Sequence, residues 1–391
     1  MDNYLDWLNL GLRWLHVVVA VAWIGASFYF NWLLNRLTAP QEPDELVQGE
    51  LWAIHAGGFF RVQKRSMPPG VIPAPLHWFK WEAYWTWISG FALLVLMYYV
   101  QADRYLIDPS VADLSVWQVV AIGLATIFIG TGVYDGLWRS KLANRPRMLS
   151  VLCCILLVAV AYGLTLVFSG RGAFMHVGAL IGTIMVANVA HVIMPSQRQL
   201  ISATLAGETP DPALSRSAGL RSLHNNYLTL PVIFVMLSSH YPATFGHSVS
   251  WLVLLALFAC SVFIRHFFNV RWQRGDRRSL WLLVVGVIGF AALAVLVLPS
   301  ASRTSTSVSF DQVQAVISKR CVQCHAQQTK LVAKAGKGVM LETPEQIATQ
   351  ASAIYAQSVL SRAMPLGNLT QMTDDERLVI SSWYAAGAKI D

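Results

Sequence analysis

HVGALIGTIMVANVAH, residues 176–191, decides how the chain is read. In a soluble protein it would be a core helix with two incidental imidazoles. The rest of the chain argues otherwise: of 391 residues, 55% are hydrophobic and 13% charged, and the apolar residues come in long blocks. A bilayer core about 30 Å thick takes roughly 20 apolar residues per helix. Stretches 9–35, 83–100, 117–138, 148–168, 173–195, 224–240, 248–270 and 280–298 meet or approach that length. In lipid every backbone polar group needs an internal partner, so the expected fold is all-α, a polytopic membrane bundle of about eight transmembrane helices. The first stretch lacks a small-residue cleavage site and outruns a signal h-region, so it reads as a retained span.

The net charge of +8 could signal nucleic acid, but the basic residues fall in loops between spans. Arg36, Arg61, Lys64, Arg65 and Lys80 follow the first span. Arg139, Lys141, Arg145 and Arg147 follow the third, Arg198, Arg216 and Arg221 the fifth, and Arg271, Arg274, Arg277 and Arg278 the seventh. The even-numbered turns hold only Arg104 and Arg171. Lys and Arg accumulate on the cytoplasmic side, so both termini are expected outside and the partner implied by the charge is a lipid bilayer, not nucleic acid. Trp78, Trp81, Trp85 and Trp87 mark the inner interface at the start of the second span.

After the membrane domain, 1–298, composition changes. Residues 299–309, PSASRTSTSVS, read as a linker, and 310–391 as a second unit with ordinary charge content. A core that small usually needs a staple. CVQCH supplies one: Cys321, Cys324 and His325 form the C-x-x-C-H attachment site of a c-type haem, two thioethers fixing the porphyrin and the histidine lying under the iron. A zinc half-site is the competing reading, but no second Cys/His pair follows. FDQVQAVISKR is an amphipathic helix ahead of the motif, and Met364 in AMPLGN suits the sixth ligand. Thr373 and Glu376 make a capping box, opening a helix whose Leu378 and Trp383 are expected to pack on the first. The unit reads as a small class I cytochrome c domain with one covalent haem c, placed outside, where haem attachment occurs.

An external haem gives the membrane histidines a context. His16 and His176 fall toward the outer side; His191, His224 and His266 toward the inner side. From 176 to 191 the rise is about 22 Å and the rotation about 60° beyond four turns, so both imidazoles can face one interior. That arrangement suits one or two b-type haems at stacked levels. Intramembrane ionisable groups are costly enough to point to function, although a lone histidine can equally bond a backbone carbonyl or serve a proton path. His240 and His247 border a short outer turn and read as solvated. His55 and His77 lie in the first inner connection, and Cys153, Cys154 and Cys260 read as packing residues. RWLHVVVAVAWIG around His16 also resembles the first span of membrane protoporphyrinogen oxidases of the HemJ type, which implies haem b at that histidine.

LWAIHAGGFFRVQK (51–64), HWFKWEAYWTWISG (77–90), NVAHVIMPSQR (188–198) and LHNNYLTLPVIFVMLSSHYP (223–242) resemble the membrane urate hydroxylases (urate oxidases) of the PuuD type, which carry a C-terminal cytochrome c. The resemblance runs over essentially the whole chain. It implies oxidation of urate to 5-hydroxyisourate, with electrons leaving through the cytochrome to the respiratory chain, by way of an acceptor such as a cytochrome c or a terminal oxidase. Where that family's inner loop has a third Gly and a Tyr, this chain has Ala56 and Phe60.

Urate is an anionic purine that loses two electrons and gains a water-derived hydroxyl, so its site needs a cation or amide donors, a base and an acceptor. The inner half of the bundle offers Glu82, Asp135, His224, Asn225, Asn226 and Arg265. Each could instead be an interfacial anchor. Arg265, inside an apolar stretch, most demands an anion. Two other readings use the same residues: a quinol-linked relay cytochrome, and a proton-coupled transporter, for which no inverted repeat of broken helices is visible.

Overall fold

The structure, a computed structural model, describes residues 2–247, 249–271, 279–297, 308–331, 335, 338–360 and 362–390. Arg274, Arg277, Arg278 and nearly all of the expected linker lie outside the described residues.

Eight long helical segments run in the expected order. They are α1 (Asp2–Arg36), α2 (Trp81–Leu94) with a π turn over Val95–Tyr99, α4 (Val116–Arg139) and α5 (Pro146–Thr165). They continue with α6 (Gly170–Asn188), joined through a π turn at Val189–Ile193 to α7 (Met194–Leu205), then α8 (Pro212–Ser238), α10 (Ser250–Val270) and α11 (Leu280–Val297). Six of these segments are long and apolar enough to cross a membrane. The other two are α2, which is short before its π turn, and α8, which carries Arg221, His224, Asn225 and Asn226. One end of the bundle gathers the short helices α3 (Ala102–Tyr105) and α9 (Pro242–Phe245) and is called the α3 end below.

The opposite end departs from the all-α expectation. Between α1 and α2, β1 (Val47–His55) and β2 (Gly58–Arg65) pair antiparallel, His55 opposite Gly58. That leaves Ala56 and Gly57 as the two-residue loop, with φ of +49° and +77°. Two consecutive positive φ values match the right-handed twist of a hairpin, so an inner loop rich in Gly is the sequence sign of this turn. Glu50 anchors the strands. Buried at 2% exposure, it accepts from the Gln41 amide (2.9 Å), Gln63 (3.1 Å) and Arg61 (2.8 Å).

The α6–α7 span is the pillar of the bundle: 67% of its apolar window is buried inside the protein, against 6–33% for the other five. Glycines make this possible. A Cβ on Gly123 or Gly130 of α4 would lie 2.5 Å from His176 or 2.8 Å from Leu180, and one on Gly178 would meet Val235 of α8 at 2.7 Å. Seven residues separate the two α4 glycines, two turns of one face, so α4 and α6 meet at close range as membrane helices do without a hydrophobic drive. Phe168, Phe174, Val177, Ile181, Val235 and Leu254 form the core around them.

At the α3 end, α12 (Phe310–Arg320), α13 (Pro344–Thr349), α14 (Ala351–Ile354) and α15 (Asp374–Ala385) form the small C-terminal unit. Phe310, Val313 and Ile317 on α12 pack with Ile347, Ile380 and Trp383. The Thr373–Glu376 capping box starts α15 as expected. Trp383 faces α12, but Leu378 is 44% exposed and Ile380 takes the expected core place: counted from Trp383, the buried stripe falls three residues back, not five.

Candidate functional site

In the C-terminal unit, α12 delivers its last turn into Cys321–His325. A cavity of about 430 Å³ opens beside it, lined by Cys321, Cys324, His325, Leu341, Ile354 and Met364, with Arg104 of the membrane domain at its edge. His325 Nδ1 lies 3.1 Å from the Val339 carbonyl. A carbonyl only accepts, so Nδ1 holds the proton and Nε2 keeps its lone pair. Arg377, itself buried, donates to the carbonyls of Met364 (2.9 Å) and Ser358, fixing the methionine loop. Burial pushes the Cys321 thiol up to about 12 and raises Cys324 as well, so neither is a ready thiolate for a metal. Among the described residues no three His, Cys, Asp or Glu side chains gather as a metal cage. Two thiols, an imidazole with an uncommitted Nε2 and a thioether sulfur around one largely apolar cavity are a donor set that fits a haem c.

Away from the α3 end, two buried polar clusters flank α8. In the first, Asp135 of α4 pairs with Arg221 (2.9 Å) and Arg139 (2.7 Å). Arg221 also reaches Asn188 (3.1 Å), which donates to Tyr134 (3.2 Å) and to Asn225 (2.8 Å), while Tyr134 meets His224 Nδ1 at 2.7 Å. The charged groups here are paired within the protein, while His224 Nε2 and Trp138 Nε1 have no hydrogen bond among the described residues. Asp135 is held by two guanidiniums, the arrangement of a structural ion pair.

The second cluster is not balanced in this way. Arg265 of α10 is 5% exposed, donates to Asn226 Oδ1 at 2.9 Å and lies 4.0 Å over the Phe28 ring. Asn226 in turn donates to Ser27. Among the described residues Arg265 has no carboxylate partner. One turn further along α10, Asn269 is 4% exposed, and its side-chain oxygen and nitrogen both lack a partner among the described residues. A buried guanidinium without an anion beside a buried amide without a hydrogen bond is costly twice over. Between the clusters lies a void of only about 10 Å³ touching Trp23, Ser27, Met185, Asn225 and Thr229, room for one water.

The structure thus brings Asp135, His224 and Asn225 together, brings Asn226 to Arg265, and leaves Glu82 in the first turn of α2 outside both clusters. Arg221, Asn188 and Asn269 were not singled out from the sequence. By charge alone Arg221 is one of the loop cations, yet it stands four residues before Asn225 on one helical face, a spacing that marks it.

The histidines do not form opposed pairs. His16 Nδ1 bonds the Thr86 carbonyl (3.0 Å) and Ser89 (3.1 Å), beside Gly90. His176, fully buried, bonds Gly172 O at 2.8 Å and Tyr99 at 3.2 Å, using both ring nitrogens. The partners of His16 and His176 are thus separated by ten or more residues of the α2 segment, roughly 15 Å of rise. His191 is exposed at the π turn; His266 bonds Tyr227 at 2.6 Å. His16, His224 and His266 each leave Nε2 without a hydrogen bond among the described residues; His176, as folded, has no nitrogen for an iron.

Six helices long and apolar enough to cross a membrane, with a buried polar site at one end of the bundle, are the architecture of a multi-pass helical membrane protein. The chain belongs to the urate oxidase N-terminal family, whose profile matches residues 2–298. It is therefore a urate-oxidase-related protein over its membrane domain, and residues 299–391 lie beyond the match. No curated protein and no solved structure matches the chain.

Proposed function

We propose that the protein oxidises urate to 5-hydroxyisourate in the membrane domain and passes the electrons to the C-terminal unit, from which a respiratory-chain acceptor, a cytochrome c or a terminal oxidase, removes them. The observation that carries this, beside the family, is Arg265: among the described residues it is a buried cation lacking an acid, next to the unpartnered amide of Asn269. An anionic purine satisfies both, its oxyanion on the guanidinium and its amide edge on Asn269 and Asn226. The reaction balances as urate plus water giving 5-hydroxyisourate, two protons and two electrons. His224 and Asp135 lie in the neighbouring cluster, where a water-derived proton can be taken up; Glu82 has no part in this arrangement. The 10 Å³ void is too small for a purine, so entry requires α1 to separate from α8 at Ser27 and Asn226.

When bound at CVQCH, haem c supplies a one-electron acceptor, so each urate loads it twice. The two sites stand far apart: from Asn188 to Gly170 along α6 the rise is roughly 27 Å. Haem b, one or two, therefore belongs to the proposal, on His16 and His266, whose Nε2 atoms are uncommitted, while His224 Nε2 is kept for the proton. His176 would join them with Nδ1 still on the Gly172 carbonyl once Tyr99 gives up Nε2, and the exposed His191 is not needed for that role. The loop charge supports the orientation proposed with it, the hairpin end in the cytoplasm and the C-terminal unit in the periplasm of a bacterial inner membrane.

The test is an anaerobic visible spectrum of the purified protein with haem types quantified, before and after urate is added as sole reductant. Reduction of c-type and b-type haem by urate is the expected result. Haem that responds to a quinol and not to urate would replace this reading with a relay cytochrome.

A further inference from the structure

Among the described residues, the C-terminal unit meets the membrane domain at the loop that carries Met364. Gly367, at φ +58°, lies so close to α3 that a Cβ there would stand 2.5 Å from the Arg104 carbonyl oxygen and 3.3 Å from that of Ile107. Its neighbour Asn368 donates to Ser110 Oγ at 3.2 Å, while its own Oδ1 receives the Met372 amide at 2.9 Å. From inside the unit, Arg377 holds the Met364 carbonyl. The loop is thus gripped from both sides, by Arg377 within and by residues 104–110 without. Arg104 also lines the mouth of the cavity shared by Cys324 and Met364.

We propose that α3 and the turn after it, Ala102–Ser110, are a docking cradle for the Met364 loop, holding the C-terminal unit so that the Cys324 edge of its crevice faces Arg104 and electron exchange between the two domains is intramolecular. A unit that collided with the membrane domain only transiently would have no need for a glycine whose missing side chain makes way for backbone of the other domain. The cradle gives the crevice a cation from outside its own fold. A fixed positive charge beside a haem favours the reduced state, so Arg104 is a positioning residue that also raises the potential.

The inference rests on the reading of the C-terminal unit as an electron acceptor, and two variants of the full-length haem-loaded protein separate the two. Arg104→Gln is expected to keep its covalent haem and its methionine–iron absorption band while its midpoint potential shifts downward; an unchanged potential would overturn the proposal. Ser110→Lys puts a long side chain into the contact from the membrane side, leaving the interior of the unit untouched. It should raise amide hydrogen exchange in both 102–110 and 364–371 and slow urate-driven reduction of haem c at least tenfold, with reduction by ascorbate unaltered. Unchanged exchange in both segments would also overturn the cradle. If urate fails to reduce the parent protein, the proposed function is lost, while the potential and the exchange data still decide the docking.

Discussion

Single residues at the buried site pull stability and function in opposite directions. Asn269 leaves two polar atoms unsatisfied in the interior, and an unpartnered buried polar group costs about 1–3 kcal/mol. Asn269→Leu should therefore raise thermal stability while weakening urate binding at least tenfold, read by calorimetry and by substrate titration; a loss of both would show the amide to be structural. Arg265→Gln removes the charge that an anion needs, and loss of a buried, hydrogen-bonded ionic contact costs about 2–5 kcal/mol. The expected fall in kcat/KM for urate is roughly a hundredfold or more, with covalent haem content unchanged. Arg265 was legible in the sequence because a cation in an apolar run is rare. Asn269 was not, since an orphaned amide is a statement about neighbours, and only packing reveals that none of its neighbours bonds it.

Elements carry their own predictions, and the hairpin is the clearest case. Ala56 occupies a left-handed position that costs an L residue about 1–2 kcal/mol. Ala56→Gly should stabilise the hairpin by about 1 kcal/mol and slow tryptic cleavage at Arg61 and Lys64 about fivefold. The hairpin also titrates. The Gln41 amide, the Gln63 side chain and Arg61 hold the Glu50 carboxyl below its ordinary 4.5 despite burial. A lowered folded value means the contribution is complete above about pH 4.5 and is lost as pH falls through the lower value. Amide protection across 47–65 should therefore fall on acidification below that point in the parent, as hydrogen exchange would show, and Glu50→Gln should abolish the change. The two strands escaped an all-α reading because LWAIHAGGFFRVQK is short and apolar on both faces, so its period-2 alternation is weak. Helix boundaries fared better, since long apolar runs and polar turns leave few alternatives in lipid. The π turn at Val189–Ile193 was hidden, because one extra residue in a turn does not alter composition.

At the scale of the whole molecule, sequence gave the order of the parts but not their contacts. CVQCH and AMPLGN could be assigned to one crevice from motif alone, and the structure places Cys321, His325 and Met364 around a common cavity. The matched depths expected for His16 and His176 failed because height in a bundle depends on helix tilt and on glycine contacts such as Gly90 and Gly123. The pillar role of α6 has a genetic consequence. Because the π turn already absorbs one extra residue, deletion of one residue within 189–193 would close it to an α turn with its flanks in register, whereas a further insertion would rotate everything after it by about 100° and move the His191 carbonyl away from Arg139. Insertions in this segment should abolish urate oxidation where a single deletion and conservative substitutions are tolerated, as a small panel of variants would show. The crevice at CVQCH has a consequence for whoever produces the protein. On the proposed haem c reading, covalent haem is installed on one side of a bacterial membrane only, so the haem that stays with the denatured polypeptide would report how the chain threaded, and its absence would signal inverted insertion or missing maturation machinery before any assay is run.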